Sequence, residues 1–370
     1  MAKKDFRFYD SRQKYLLFVT TTNEKNRIAD AIYPHVKNLK PTQPALKIFD
    51  AGLGDGSLLM NIIRQSHKEF PEIPLLVSSK EISMEDVRLC LEKLPDRFAE
   101  HKRMVFVVTN MHYSEAATLT SNNDKKQKKI NWDVVKLKGT SSYEFNTQLR
   151  NLDEKLAKNW RVESHPKSGN HTYKEPSVLI VYREDQEFIL KNIIPTKDKP
   201  KNTFDLIIAS QPYRSRIDVS KKVEYVIQPM INALNNNGKL LIIHASGKDP
   251  GSEIIKKIWP TEQPFPSLAL DIKKYLLKKM DKDFIKNLEI GPISKIKYNL
   301  RALPNEIRDG ISTSIVFSGW NAATYVNQMD DKKIAEVEKN NKYESPTKAI
   351  IKKHKGLWFN DELLVIKKNK

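Results

Sequence analysis

The chain has 370 residues, 39% of them apolar, and carries 64 lysines and arginines against 45 acids, a net charge of +19. Such a length and apolar content exclude wholesale disorder and allow one large domain or two modest ones; the single cysteine, Cys90, excludes an internal disulfide and points to a reducing, cytoplasmic setting. No apolar run approaches the roughly 20 residues that span a bilayer, and no apolar stretch follows the N-terminal lysines, so neither a membrane segment nor a secretory signal is expected.

In chain order, Phe6 to Pro34 reads as a helical segment, with Tyr15, Phe18, Val19, Ile28 and Ile32 in partial helical register. Two prolines in Leu39–Ala45 stop it. Ala45 to Phe49 is an apolar run that reads as a buried strand, and Ser57 to Arg64 reads as a helix start. Between them stand three of the chain's 12 glycines, Gly52, Gly54 and Gly56. Glycine at a strand-to-helix turn permits positive φ and lets a ligand lie on bare backbone, and the helix start favours a negative group. The spacing is D-x-G-x-G-x-G from Asp50, not the G-x-G-x-x-G of dinucleotide sites.

A second strand is expected to end near Glu81, followed by a helix that Ser83 caps. A third strand ends near Asn110. The strand–helix rhythm then breaks. Ser121 to Lys129 reads as an exposed loop, Phe145, Leu149, Leu152, Leu156 and Trp160 fall on one helical stripe, and "SVLIVY" and "EFILKNII" flank "REDQ" as a hairpin. The rhythm resumes at "TFDLIIASQPY", followed by a helix around Val223 to Leu234, an "NNNGK" turn and the strand "LLIIHAS". Leu268 to Leu288 reads as an amphipathic helix. "STSIVFSGW" and "GLWFNDELLVIKK" read as two late strands, the second with a turn at Asn360–Asp361. The expected division is a helical cap at 1–44, a core from 45–117 and 201–370, and an inserted α+β subdomain at 118–200.

The run from Asp50 to Gly56 resembles the first motif of class I S-adenosylmethionine-dependent methyltransferases. The resemblance implies a Rossmann-like α/β fold, with a mostly parallel seven-stranded sheet and helices on both faces. It implies S-adenosylmethionine as cofactor and S-adenosylhomocysteine as product. Asp50, Gly52, Gly54, Asp55 and Gly56 would lie at the methionine part. Glu81, 25 residues after Gly56 and at a strand end, would hold the ribose hydroxyls. Asn110 or Met111 would meet the adenine, and Ser210 to Tyr213 would form the active-site edge. The stretches "FRFYDSRQKYLLF", "KEIS", "IIASQPYRSRID", "GKLLIIHASG" and "LWFNDELLVI" further resemble, in order and character, histamine N-methyltransferase-like enzymes. That implies N-methylation of a small amine, with Glu24 engaging the amine. The 118–200 segment has no counterpart in the resemblance.

"SQPY" also partly matches the (Asp/Asn/Ser)-Pro-Pro-aromatic motif of amino-methyltransferases, with Gln211 in place of the first proline. Gln211, Tyr213 and Glu24 are the candidate catalytic residues. Tyr9, Tyr15 and Phe18 are candidates for an aromatic lid over a cation or for an ordinary apolar helix face. Arg214 suits a carboxylate or phosphate. His112 and His244 are candidate bases. No Cys/His cluster suggests a metal. The +19 charge keeps a second class open, a methyltransferase acting on nucleic acid or an acidic protein, against the reading that the lysines are simply spread along the chain. A third class is an aminopropyltransferase-like or binding-only relative.

Overall fold

A computed structural model of the chain describes residues 12–121, 123–164, 171–197, 203–301 and 314–369. Its centre is a block of parallel strands: β1 (Leu46–Asp50), β2 (Leu75–Lys80) and β3 (Met104–Thr109) on one side, and β8 (Phe204–Ser210) and β9 (Leu234–Ala245) on the other. β1 pairs in parallel with both β2 and β8. β3 and β8 are buried at every position, as strands covered on both faces must be. The chain builds outward from β1 in one direction and from β8 in the other. The C-terminal ends of β1 and β8 are therefore a topological switch point, where a crevice opens in folds of this kind.

Four more strands flank this block: β4 (Asn131–Leu137), β7 (Ser177–Arg183), β10 (Leu288–Asn299) and β11 (Trp358–Lys368). The full sheet runs β10-β11-β9-β8-β1-β2-β3-β7-β4. The expected α/β class and mostly parallel sheet are present, but seven strands is corrected to nine. The two additional strands come from the 118–200 segment: β7 lies antiparallel on β3, and β4 runs parallel beside β7. β7 is buried at all seven positions, so it completes the edge that β3 would otherwise expose. A separate two-stranded ribbon, β5 (Val162–Ser164) with β6 (His171–Tyr173), stands apart from this sheet.

Three further expectations are corrected. "EFILKNII" is no strand: Glu187–Leu190 is a helical turn, with Glu187 held by the Tyr182 hydroxyl at 3.0 Å. "STSIVFSGW" begins a helix, Ile315–Val326, whose first turn the Ser314 side chain caps. Trp320 is fully buried in it, and a short apolar run of this kind has no period that separates a buried helix from a strand. Asn360–Asp361 is no turn. β11 passes straight through, pairing Asp361 with Ala245 of β9 and with Ile296 of β10. The expected 268–288 helix breaks after Lys279, resumes as a short helix at Lys282–Lys286, and gives way at Leu288 to β10. Its register shifts between Ile290 and Ile293, where Gly291 and Pro292 stand.

Before the sheet come α1 (Arg12–Thr21) and α2 (Glu24–Lys37); α3 (Ser57–Glu69) follows β1 and α4 (Met84–Lys93) follows β2. Tyr9 lies outside the described residues. The stripe Phe145–Trp160 packs into the same cluster as Ile48, Val77, Phe106 and Cys90. None of the described helices is long and apolar enough to cross a membrane.

Trp160 is 4% exposed, and its indole N–H donates to the Glu81 carbonyl at 2.9 Å. Trp160→Ala is therefore expected to cost about 3–5 kcal/mol, the range for a large aromatic removed from a core, as read from the denaturant midpoint. A loss below about 1 kcal/mol would show that this segment does not share the core.

Candidate functional site

β1 delivers Asp50 to the switch point almost fully buried. One carboxylate oxygen of Asp50 accepts the Gly52 N–H at 3.1 Å; the other has no hydrogen-bond partner. The turn that follows needs a left-handed backbone twice, with φ of +51° at Gly54 and +79° at Gly56. The two positions face different neighbours. A Cβ on Gly54 would stand 2.3 Å from the Tyr15 hydroxyl oxygen, and one on Gly56 would stand 2.8 Å from the Cys90 sulfur. Gly54 thus lets α1 close over the turn, while Gly56 lets α3 and α4 pack together.

β2 brings Glu81 to the same place. Its carboxylate accepts the Gly54 N–H at 2.9 Å with one oxygen, and the Ile82 and Ser83 N–H groups at 2.8 and 2.9 Å with the other. From β8 comes the loop Ser210–Arg214. The Ser210 hydroxyl is buried without a hydrogen-bond partner. Gln211 sits at φ +50°. Its side-chain oxygen accepts the Ala245 N–H at 3.1 Å, and its amide nitrogen donates to Asp361 at 3.3 Å. The Tyr213 hydroxyl pairs with His244 Nδ1 at 2.8 Å. Tyr113 donates to the Pro212 carbonyl at 2.6 Å, tying the loop after β3 to the loop after β8.

α1 and α2 close the site. The Tyr15 hydroxyl donates to Asp55 at 3.1 Å and accepts the Asp55 N–H at 3.0 Å. Phe18 stacks on Tyr325 at 4.7 Å between ring centroids. Glu24 is buried and lies 2.8 Å from Lys25. Together these groups wall a cavity of about 160 Å³. Tyr15, Phe18, Glu24, Gly52, Gly54, Glu81, Ser210, Gln211, Tyr213 and Arg214 all line it.

The remaining candidates sit elsewhere. Asp50 lies beneath the cavity rather than in its wall. Asp55 turns away from it, to Tyr15, Ser57 and Lys93. Gly56 faces Cys90. Asn110 is taken up by backbone groups: its amide donates to the Asn159 and Glu175 carbonyls, and its oxygen accepts the Ser177 N–H. His112 contacts Thr172, at 3.2 Å, and the ring of Tyr173. Among the described residues no group of three or more potential ligands could hold a metal.

Sequence reasoning misses Lys25, Lys80, Tyr113, Tyr298 and Tyr325 in the wall, and Asp361 behind Gln211. Lys80 carries a signal, as the one charge at the end of an apolar strand. Tyr298 and Asp361 carry none, because no strand is expected where β10 runs and a turn is expected at Asn360–Asp361.

Burial dominates the electrostatics. It pushes the Asp50 carboxyl up to about 6 against the Gly52 hydrogen bond. Burial, reinforced by Glu24, raises Asp361 well above the carboxylate range. Burial works against the Lys25 ammonium, but Glu24 outweighs it and the Lys25 pKa is raised. Burial also raises the Tyr15, Tyr298 and Tyr325 phenols.

No protein-family model matches the chain, and no curated protein matches it. Among solved structures it is similar to a protein of Listeria monocytogenes described as a class I S-adenosylmethionine-dependent methyltransferase (11% identity over 93% of this chain and 60% of that one, TM-score 0.32). It is also similar to the [4+2]-cyclase SpnF (13% identity, 92% and 81%, TM-score 0.34) and to an S-adenosylmethionine-dependent methyltransferase from Archaeoglobus fulgidus (10% identity, 93% and 94%, TM-score 0.31). The chain thus spans 60% of the length of the Listeria protein.

Asp50 gives a test of this electrostatic picture. Its folded pKa of about 6 lies above its ordinary 3.8, so the folded state holds the proton more tightly. Its stabilising contribution is complete below about pH 4 and is lost as the pH rises through about 6. Between about pH 4 and 7 the wild type should lose up to about 3 kcal/mol more stability than Asp50→Asn. Parallel pH curves of the denaturant midpoint would overturn the assignment.

Proposed function

We propose that this cavity binds S-adenosylmethionine and that the protein transfers its methyl group to the nitrogen of a small amine. One observation carries the reading: the glycine turn after β1 and the strand-end acid of β2 meet at Gly54 and Glu81, in a cavity that also takes in the loop after β8. The residues fit the group. Gly54 leaves bare backbone where any Cβ would strike Tyr15, and the buried Ser210 hydroxyl, on the cavity wall, has no hydrogen-bond partner.

When bound, S-adenosylmethionine supplies a sulfonium methyl carbon open to in-line displacement. Glu81, fixed by three backbone N–H groups, keeps one of a carboxylate's roughly four lone-pair sites for a ribose hydroxyl. Tyr15, Phe18 and Tyr325 present ring faces suited to a cation and exclude water above the turn. Gln211 is held by Ala245 and Asp361, so its amide points one way only and orients an acceptor without reorganising. Glu24, beside Lys25, pairs with the ammonium form of the acceptor, which gives up a proton to solvent before its nitrogen lone pair can act as nucleophile. The net charge of +19 supports a second reading, in which the acceptor is a nucleic acid or an acidic protein. The segment at 118–200 is then the part that approaches it.

Two experiments test these readings. The protein is incubated with methyl-labelled S-adenosylmethionine and an extract of its own source, and the products are fractionated. Label in the small-molecule pool is the expected outcome; label on protein or nucleic acid would favour the second reading; no label in any fraction would count against methyl transfer. Separately, Gly54→Leu should abolish S-adenosylmethionine binding in a calorimetric titration, because the side chain enters Tyr15 and strains a φ of +51°. Unchanged affinity would remove the cofactor from this turn.

A further inference from the structure

The basic side chains of the cavity wall differ in what neutralises them. Arg12 pairs with Asp86 and lies 3.7 Å from Glu85. Lys25 lies 2.8 Å from Glu24. Lys80, the last residue of β2, lines the same cavity and has no carboxylate within ion-pair distance among the described residues. The adjacent Glu81 does not serve it, because that carboxylate is turned to the N–H groups of Gly54, Ile82 and Ser83.

What Lys80 does touch is the ring of Tyr113, 4.9 Å from its ammonium. Tyr113 is itself fixed by its 2.6 Å bond to the Pro212 carbonyl. The ammonium is therefore held on a braced ring at the junction with the Ser210–Arg214 loop, where the acceptor is placed under the proposed function. Arg214 lines the cavity on that loop.

An ammonium in a half-buried wall loses hydration, and the neighbouring Glu81 charge, which makes no ion pair with it, offsets only part of that loss. The effect shows in its acidity: burial lowers the Lys80 pKa and Glu81 only partly opposes this. A lone positive charge also opposes the entry of a sulfonium into the same cavity. Both costs vanish when an anion sits on Lys80. A lysine offers three donors from one compact charge, which suits a carboxylate or phosphate oxygen.

We propose that Lys80 receives a carboxylate or phosphate group of the methyl acceptor, so that the acceptor is an amine that also carries an anionic group. This rests on the reading of the cavity as a methyl-transfer site. Neutralisation by the acceptor makes the cavity more favourable to the sulfonium, which couples the binding of the two.

The test uses the full chain as wild type, Lys80→Met and Lys80→Arg, with Lys80→Gln repeating it if the methionine variant does not fold. Inorganic phosphate and acetate are titrated by calorimetry, with and without saturating S-adenosylhomocysteine. Phosphate or acetate should bind the wild type and the arginine variant, and binding to the methionine variant should weaken roughly tenfold or more, the loss of one charged hydrogen-bonded contact. S-adenosylhomocysteine affinity should stay within about twofold throughout, a change too small to count as a lost contact. Equal anion binding by wild type and Lys80→Met overturns the proposal. So does a roughly tenfold loss of S-adenosylhomocysteine affinity with 5′-methylthioadenosine, which lacks the carboxylate, unaffected, since Lys80 would then serve the cofactor's own carboxylate. If the wild type binds the anion through Lys80 but no S-adenosylhomocysteine, the methyl-transfer reading fails and the anion site stands.

Discussion

The hydrogen bond from the Gly54 N–H to the Glu81 carboxylate, 2.9 Å long, is the constraint on which the site depends. It joins the ends of two neighbouring parallel strands, β1 and β2, beside the switch point between β1 and β8. It requires a left-handed residue at 54 and an acid just past the end of β2, and each requirement brings others. With no side chain at 54, Tyr15 can reach the turn, and its hydroxyl then bonds both the N–H and the carboxylate of Asp55. Asp55 is in turn held by Lys93 of α4. The turn, α1 and α4 are therefore one hydrogen-bonded unit, and the glycine–acid bond fixes where α1 lies as well as where a ligand would lie. Arg12 extends the link from α1 to Asp86 at the start of α4.

Beneath and beside this unit the site buries polar groups that the described residues do not fully pair. Asp50 and Asp361 each keep an oxygen without a partner, and the buried Tyr298 hydroxyl has none. A buried unsatisfied polar group costs on the order of 1–3 kcal/mol, so the floor of the site is built at the expense of stability. The rest of the sheet supplies the compensation. Leu46, Val77, Phe106, Ile208 and Leu241 are almost wholly buried in one continuous core on the sheet. The rigid, apolar β1–β3 and β8–β9 block is what holds a polar floor in place.

Legibility in the sequence follows the strength of local signals. β1, β2, β3 and β8 are short apolar runs next to glycines, acids or prolines, and each is plain in one dimension. The glycine turn is plain because three residues tolerant of left-handed backbone within five positions are needed only where a chain bends tightly against a ligand or a neighbouring element. β4 and β10 are not plain. Both are sheet edges with mixed polar and apolar residues, and β10 carries a glycine and a proline where its register shifts. The Ile315–Val326 helix is obscured because it is apolar nearly all round, which removes the period that identifies a helix. Asn110 is drawn to the site by its place after a strand. The structure gives it three backbone partners instead, which no one-dimensional pattern conveys.

These losses fall on one side of the site. The wall at the glycine turn comes from two short runs of sequence, Gly52 with Gly54 and Glu81 with Ile82, joined by adjacent parallel strands. The other wall is made by Glu24, Gln211 and Tyr298, with Asp361 behind Gln211, and four distant segments bring these residues together. Asp361 reaches Gln211 only because β11 runs antiparallel beside β9 and sets it opposite Ala245. A turn at this point would send that carboxylate to solvent; placed in the ladder, it is fully buried and burial raises its pKa. The part of the site hidden from sequence is thus the part that antiparallel pairing at the far side of the sheet assembles, while the glycine turn and Glu81 meet across two adjacent strand ends.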